Sequence, residues 1–278
     1  MRGKRRRISM SFVASLLRFL DTPMPIPTLY GWYHLMWLAI VAIVAWLLCR
    51  DFSKTRKDRS VPLVLWTSVL IIALEVYKMV NYSFSYEDGV EFDFEWYAFP
   101  FQFCSTPMYV GLLAGLSKKG KFHNALCAYL ATFAVFAGAC VMFYPGDVFI
   151  DTIGINVQTM VCHGSMLVIG VYLLYTGHVK AEHKTILGAG AVFLVCVILA
   201  ALMNEYAHST GLLERETFNM FFISTYCDPH LPVYSLVQGV VPFPLCLVLY
   251  VLGFSAAAYV ILLAAMGITA LVKKKVSA

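Results

Sequence analysis

Charge is scarce in this sequence. Asp, Glu, Lys and Arg make up 13% of its 278 residues, hydrophobic residues 60%, and the mean hydropathy is +0.74. That balance excludes an ordinary soluble domain and points to a polytopic membrane protein. Paired cysteines are also missing. The eight Cys are scattered with no C-x-x-C pair, which removes a zinc ribbon or a dithiol redox motif. The acidic run from Glu87 to Glu95 lacks the EF-hand pattern and reads as a solvated loop. Cys227-Asp-Pro-His230 fits no strong zinc signature and reads as an outer-loop turn. There is no clear internal repeat, no low-complexity segment and no small-residue cleavage site after the first long apolar segment, which reads as a retained helix. The net charge of +5 sits in loops and tails, so it speaks to topology and not to nucleic acid.

What is present is a series of apolar runs. Residues 33–49, 62–81, 99–116, 122–143, 155–176, 185–207 and 241–272 are candidate spans. The expected fold is all-α, a polytopic transmembrane helix bundle of about seven spans. Three segments are expected: a basic N-terminal tail with an interfacial helix (1–32), the membrane domain (33–272) and a basic C-terminal tail (273–278). The tail holds Arg2, Lys4, Arg5, Arg6 and Arg7, and the apolar stretch 8–20 is too short to span, so it predicts an interfacial helix. Gly111 and Gly115 form a G-x-x-x-G, a weak signal for close helix approach.

Loop charges set the orientation. Arg50, Lys54, Arg56, Lys57 and Arg59 fill one loop; Lys118, Lys119 and Lys121 the next on that side; then Lys180 and Lys184, and finally Lys273, Lys274 and Lys275. The alternate loops are acidic or nearly neutral, with Arg215 the single basic residue of 208–240. The positive-inside rule puts the basic loops and the C-terminus in the cytoplasm, in the cell membrane if the source is bacterial. Seven spans leave the N-terminus outside, against the sign of its own tail; the consistent later loops outweigh it.

Ionisable groups inside spans are functional candidates by default. Glu75 and Lys78 lie one turn apart on the second span. Cys104 lies in the stretch Ala98-Phe-Pro-Phe-Gln-Phe-Cys-Ser-Thr-Pro107, where Pro100 suits a first helical turn and Pro107 predicts a backbone loosened around the thiol. His163 lies in the fifth span, and Asn204 with Glu205 reads as the wet end of the sixth. Counted at ~1.5 Å per residue, Cys104, Glu75 and His163 fall roughly 8, 9 and 12 Å from the outer ends of their spans. Each has a plain alternative: a thiol used for packing, a paired charge, a core imidazole. Together they offer a Cys–His couple, with Glu75 or Gln102 placed to orient the ring or bind an oxyanion.

Glu75-Val-Tyr-Lys78, Pro100-Phe-Gln-Phe-Cys104, His163 followed by Val171-Tyr-Leu-Leu174, and Asn219-Met-Phe-Phe-Ile223 with Pro232 and Pro242 resemble the YwaF/transmembrane protein 164 family. The resemblance runs over about residues 33–270. It implies a cysteine-dependent phospholipid acyltransferase, as in the eukaryotic branch, with Cys104 similar to the nucleophile and His163 to the base. Glu75, Lys78, Gln102 and Asn219 would support the site. Ser105 stands where the animal branch has a His, and Gln102 where many bacterial members have one. The implied partners are membrane phospholipids and lysophospholipids, with no cofactor and no metal. The rival classes are a small-solute or ion transporter, which predicts polar groups from face to face, and a non-catalytic lipid-binding membrane protein. A hydrolase shares the first half-reaction.

Overall fold

A computed structural model describes residues 12–277 apart from 87–89, 147, 212–217, 229–230 and 232–233. The basic tail at 2–7, Glu87, Asp88, Asp147, Arg215 and His230 lie outside the described residues. The chain forms helices α1 (Trp32–Thr55), α2 (Ser60–Ser83), α3 (Thr106–Leu116), α4 (Lys121–Ala131), α5 (Phe133–Phe143), α6 (Ile153–Tyr175), α7 (Thr185–Ser209) and α8 (Phe243–Ser277). Helices are what a hydrocarbon environment demands, because every backbone N–H and C=O must be paired within the segment. Among the described residues, six helical spans are long and apolar enough to cross a membrane, with α4 and α5 together making one of them; α3 is apolar but shorter than these. This is a multi-pass integral membrane protein.

Two spans differ from the sequence reading. The third is helical only from Thr106, so Cys104 stands in the turn before α3 rather than one turn inside it. Pro107 falls in the first turn of α3, where its missing N–H costs nothing, and so it kinks nothing. The fourth is broken at Thr132 (φ −130°, ψ −74°), whose hydroxyl bonds back to the Ala128 carbonyl at 2.7 Å. Residues 12–20 are helical and largely exposed, in the form expected of an interfacial helix.

Packing fixes which faces meet. A Cβ on Gly115 would lie 2.6 Å from the Leu65 Cβ, so glycine here lets α3 lie directly on α2. A Cβ on Gly138 would lie 2.7 Å from the His163 carbonyl oxygen, so α5 crosses α6 at the turn that carries His163. The acidic loop between α2 and α3 forms a short hairpin, Phe84–Ser85 against Glu91–Phe92, then a 3-10 turn at Trp96–Ala98 whose Tyr97 N–H donates to Glu95 Oε1. The loop before α8 does not stay outside. Met220, Phe221 and Ile223 are fully buried, and Phe221 packs against Phe101, Phe103 and Phe193. Phe221 and Phe222 both hold left-handed backbone (φ 58° and 55°).

Candidate functional site

α6 supplies the imidazole. Four residues apart on one turn, the Thr159 carbonyl lies 2.7 Å from His163 Nδ1. A carbonyl only accepts, so Nδ1 carries the proton and Nε2 is left with its lone pair. That Nε2 is buried and has no hydrogen-bond partner. A native interior leaves few such atoms, and each calls for a reason.

α2 supplies the charges. Lys78 Nζ lies 2.6 Å from Glu75 Oε2, and the pair is largely buried. Glu75 Oε1 accepts from Gln158 Nε2 at 3.0 Å, and the same amide nitrogen lies 3.5 Å from Cys162 Sγ. Glu75 is thus tied across helices to the residue one turn ahead of Cys162. Cys104 is half-buried. No hydrogen bond joins Cys104 to His163.

Gln102 and Asn219 meet behind this group. Gln102 donates to the Asn219 carbonyl and accepts from the Phe221 N–H, both at 2.9 Å. Asn204 makes the same two-way clamp on Met220, donating at 3.0 Å and accepting at 2.8 Å. Asn204 is therefore buried structure and not a wet helix end; only its neighbour Glu205 is exposed, bonded to Tyr226. Asn219 Oδ1 accepts from the Ser224 N–H, and its buried Nδ2 is unpaired.

Of the sequence-predicted residues, Glu75 and Lys78 form an ion pair that is tied to Gln158 of the His163 helix, and Gln102, two residues before Cys104, is bonded to the separate loop that carries Asn219. Sequence reasoning passed over Gln158 and Cys162 as site components. The signal was there: an amide one turn before a Cys within an apolar span. The basic-loop half of the bundle holds a second polar group that sequence reasoning did not single out. His123 is in fact buried there, and with Cys127 and His178 it forms a group whose ligand atoms all lie within 4.8 Å of one another.

No curated protein and no solved structure matches the chain. The sequence model of the TMEM164 family matches residues 29–267, and it takes in every residue of the site just described. The chain is a member of the TMEM164 family.

Proposed function

We propose that the protein is a membrane-embedded acyltransferase that moves a fatty acyl chain between phospholipid and lysolipid through a thioester on Cys104. One observation carries the reading: His163 presents a buried, unpartnered Nε2 whose tautomer is fixed by the Thr159 carbonyl. That is the state a general base needs before substrate arrives.

In the first half-reaction Cys104 gives its thiol proton to His163 Nε2 and the sulfur attacks an ester carbonyl. Lys78 favours the thiolate and the developing oxyanion, and Asn219 Nδ2 is a spare donor for the same charge. The carbon–oxygen bond breaks, and the imidazolium returns the proton to the departing lysolipid oxygen. In the second half-reaction His163 takes a proton from the lysolipid hydroxyl, whose oxygen attacks the thioester; the carbon–sulfur bond breaks, and the imidazolium returns the proton to the Cys104 sulfur. The acidic-loop end of the bundle, where Cys104 sits, faces the outer leaflet in this reading, with the C-terminus in the cytoplasm of a cell membrane. A nucleophile at this depth is near the ester level of that leaflet.

The test follows labelled acyl chains from phosphatidylcholine or phosphatidylethanolamine to added lysolipid, using purified protein in detergent. Transfer that needs Cys104 and slows strongly in His163→Ala supports the reading. Transfer undiminished in Cys104→Ala refutes it. Release of free fatty acid in place of transfer makes the enzyme a hydrolase. A transporter gains no support from the second polar cluster, because Met166, Ile169 and Leu173, between the two ends on α6, are buried and apolar.

A further inference from the structure

We propose that His123, Cys127 and His178 form a binding site for a divalent transition metal of the zinc class, at the basic-loop end of the bundle and separate from the Cys104 site. His123 and Cys127 stand one turn apart at the start of α4, and His178 lies in the turn after α6. From His123 to Gly138, which packs on His163, the chain rises roughly 22 Å at ~1.5 Å per residue.

The ring nitrogens make the case. His123 Nδ1 lies 3.0 Å from the Ala114 carbonyl oxygen and 3.2 Å from Ser117 Oγ. His178 Nδ1 lies 2.8 Å from Asp58 Oδ2. Both Nδ1 atoms therefore donate to acceptors, and in its neutral form each ring keeps its lone pair on Nε2. Those two Nε2 atoms face each other at 3.0 Å, and Cys127 Sγ lies 3.5 Å from the His123 one. Two lone pairs that close repel unless a cation lies between them. A tetrahedral zinc ion with bonds of ~2.0–2.1 Å to nitrogen and ~2.3 Å to sulfur sets ligand separations of roughly 3.3 Å (N···N) and 3.6 Å (N···S). The observed spacings are within a few tenths of an ångström of both.

The outer partners match as well. A ligating imidazole normally donates its other N–H to a carboxylate or a backbone carbonyl, and here one ring has each. A cavity of about 580 Å³, lined by His178, Lys121, Asn124 and Glu182 among others, adjoins the group and gives an ion a way in and room for a water as fourth ligand. On binding, Cys127 releases its thiol proton to solution and the sulfur–metal bond forms. Bound metal would join the start of α4, the turn after α6 and, through Asp58, the α1–α2 loop.

The test uses the full chain, purified in detergent without a histidine tag and equilibrated with buffered Zn²⁺ or Co²⁺ alone. About one Zn²⁺ per chain is expected, and the Co²⁺ form should show a thiolate-to-cobalt charge-transfer band in the near ultraviolet. Cys127→Ser should abolish the band, and His178→Gln should cut zinc content to about a tenth or less. Asp58→Asn should keep the site but weaken its affinity roughly 10–100-fold. Should Cys127→Ser fail to fold, His178→Gln and Asp58→Asn, which change residues in connecting turns, decide the matter. Cys104→Ser should bind metal like the wild type. No zinc uptake by the wild type, or uptake unchanged in all three variants, overturns the proposal; the first result leaves a shared proton between the two rings.

Discussion

Gln102→Ala should loosen the buried loop behind Cys104 and lower the melting temperature by a measurable amount. The Gln102 amide pairs the Asn219 carbonyl and the Phe221 N–H, each at 2.9 Å. Two side-chain hydrogen bonds at about 0.6 kcal/mol each, the average found for such bonds between membrane helices, set a floor near 1.2 kcal/mol. If both backbone groups stay dry and unpaired, the loss is about 1–3 kcal/mol for each, or roughly 2–6 kcal/mol. Phe221 and Phe222 hold left-handed backbone that persists only while its surroundings over-determine it, so removing one clamp also frees that strain and trims the loss. A net destabilisation of about 2–4 kcal/mol follows, and at ~2–4 °C per kcal/mol the midpoint should fall by at least about 4 °C. Intrinsic fluorescence scans at one fixed heating rate give the comparison, because unfolding in detergent is commonly irreversible. Cys104 stands two residues from the clamp, so its alkylation by a maleimide should also speed up. A midpoint within about a degree of wild type, with unchanged Cys104 alkylation, would refute the idea that this amide holds the loop. Asn204→Ala should act similarly through Met220, and the double variant should lose less than the sum, since both amides restrain one segment.

Three further outcomes are expected. Lys78→Met should destabilise by about 3–5 kcal/mol by stranding the Glu75 carboxylate, while Glu75→Gln with Lys78→Met should recover most of that in thermal melts. If the recovered double variant also transfers acyl chains at the wild-type rate, the pair is structural only. Gly138→Ala places a methyl against the His163 carbonyl and the Met166 Cβ, so it should cost about 1–3 kcal/mol and slow acylation of Cys104 by shifting the ring; wild-type kinetics would show that α5 does not position His163. Gln158→Leu removes the donor to Glu75 Oε1 but not the Lys78 pair, so stopped-flow acylation should slow more than stability falls; equal, small effects on both would make Gln158 packing alone.

The spans were legible because a bilayer imposes one rule on all of them. Runs of about twenty apolar residues must be helical, and the observed helices begin and end within two residues of the expected runs at most ends. The Glu75–Lys78 pair was legible from its spacing, and the close approach of α3 to α2 from Gly111 and Gly115. The start of α3 was not. Residues 99–105 are mostly apolar and include a plausible first-turn proline, yet Gln102 commits its amide to a loop 117 residues away, and the chain turns there instead of winding. Thr132 likewise gave no warning, because back-bonding to a carbonyl is invisible without the neighbouring turn. The imidazole pair escaped for the same reason. His123 and His178 lie 55 residues apart, and Asp58 is 120 from His178, so no spacing rule unites them. Local chemistry reads from sequence; partners brought together by the bundle do not.

The most direct test is the intact mass of the detergent-purified protein after incubation with phosphatidylcholine or phosphatidylethanolamine, beside Cys104→Ser. A fatty-acyl increment on the wild type, removed by neutral hydroxylamine, mapped to Cys104 and missing from Cys104→Ser, is the expected result. No increment with either lipid, and a Cys104 inert to mild thiol reagents, would contradict a thioester and return Cys104 to a packing role.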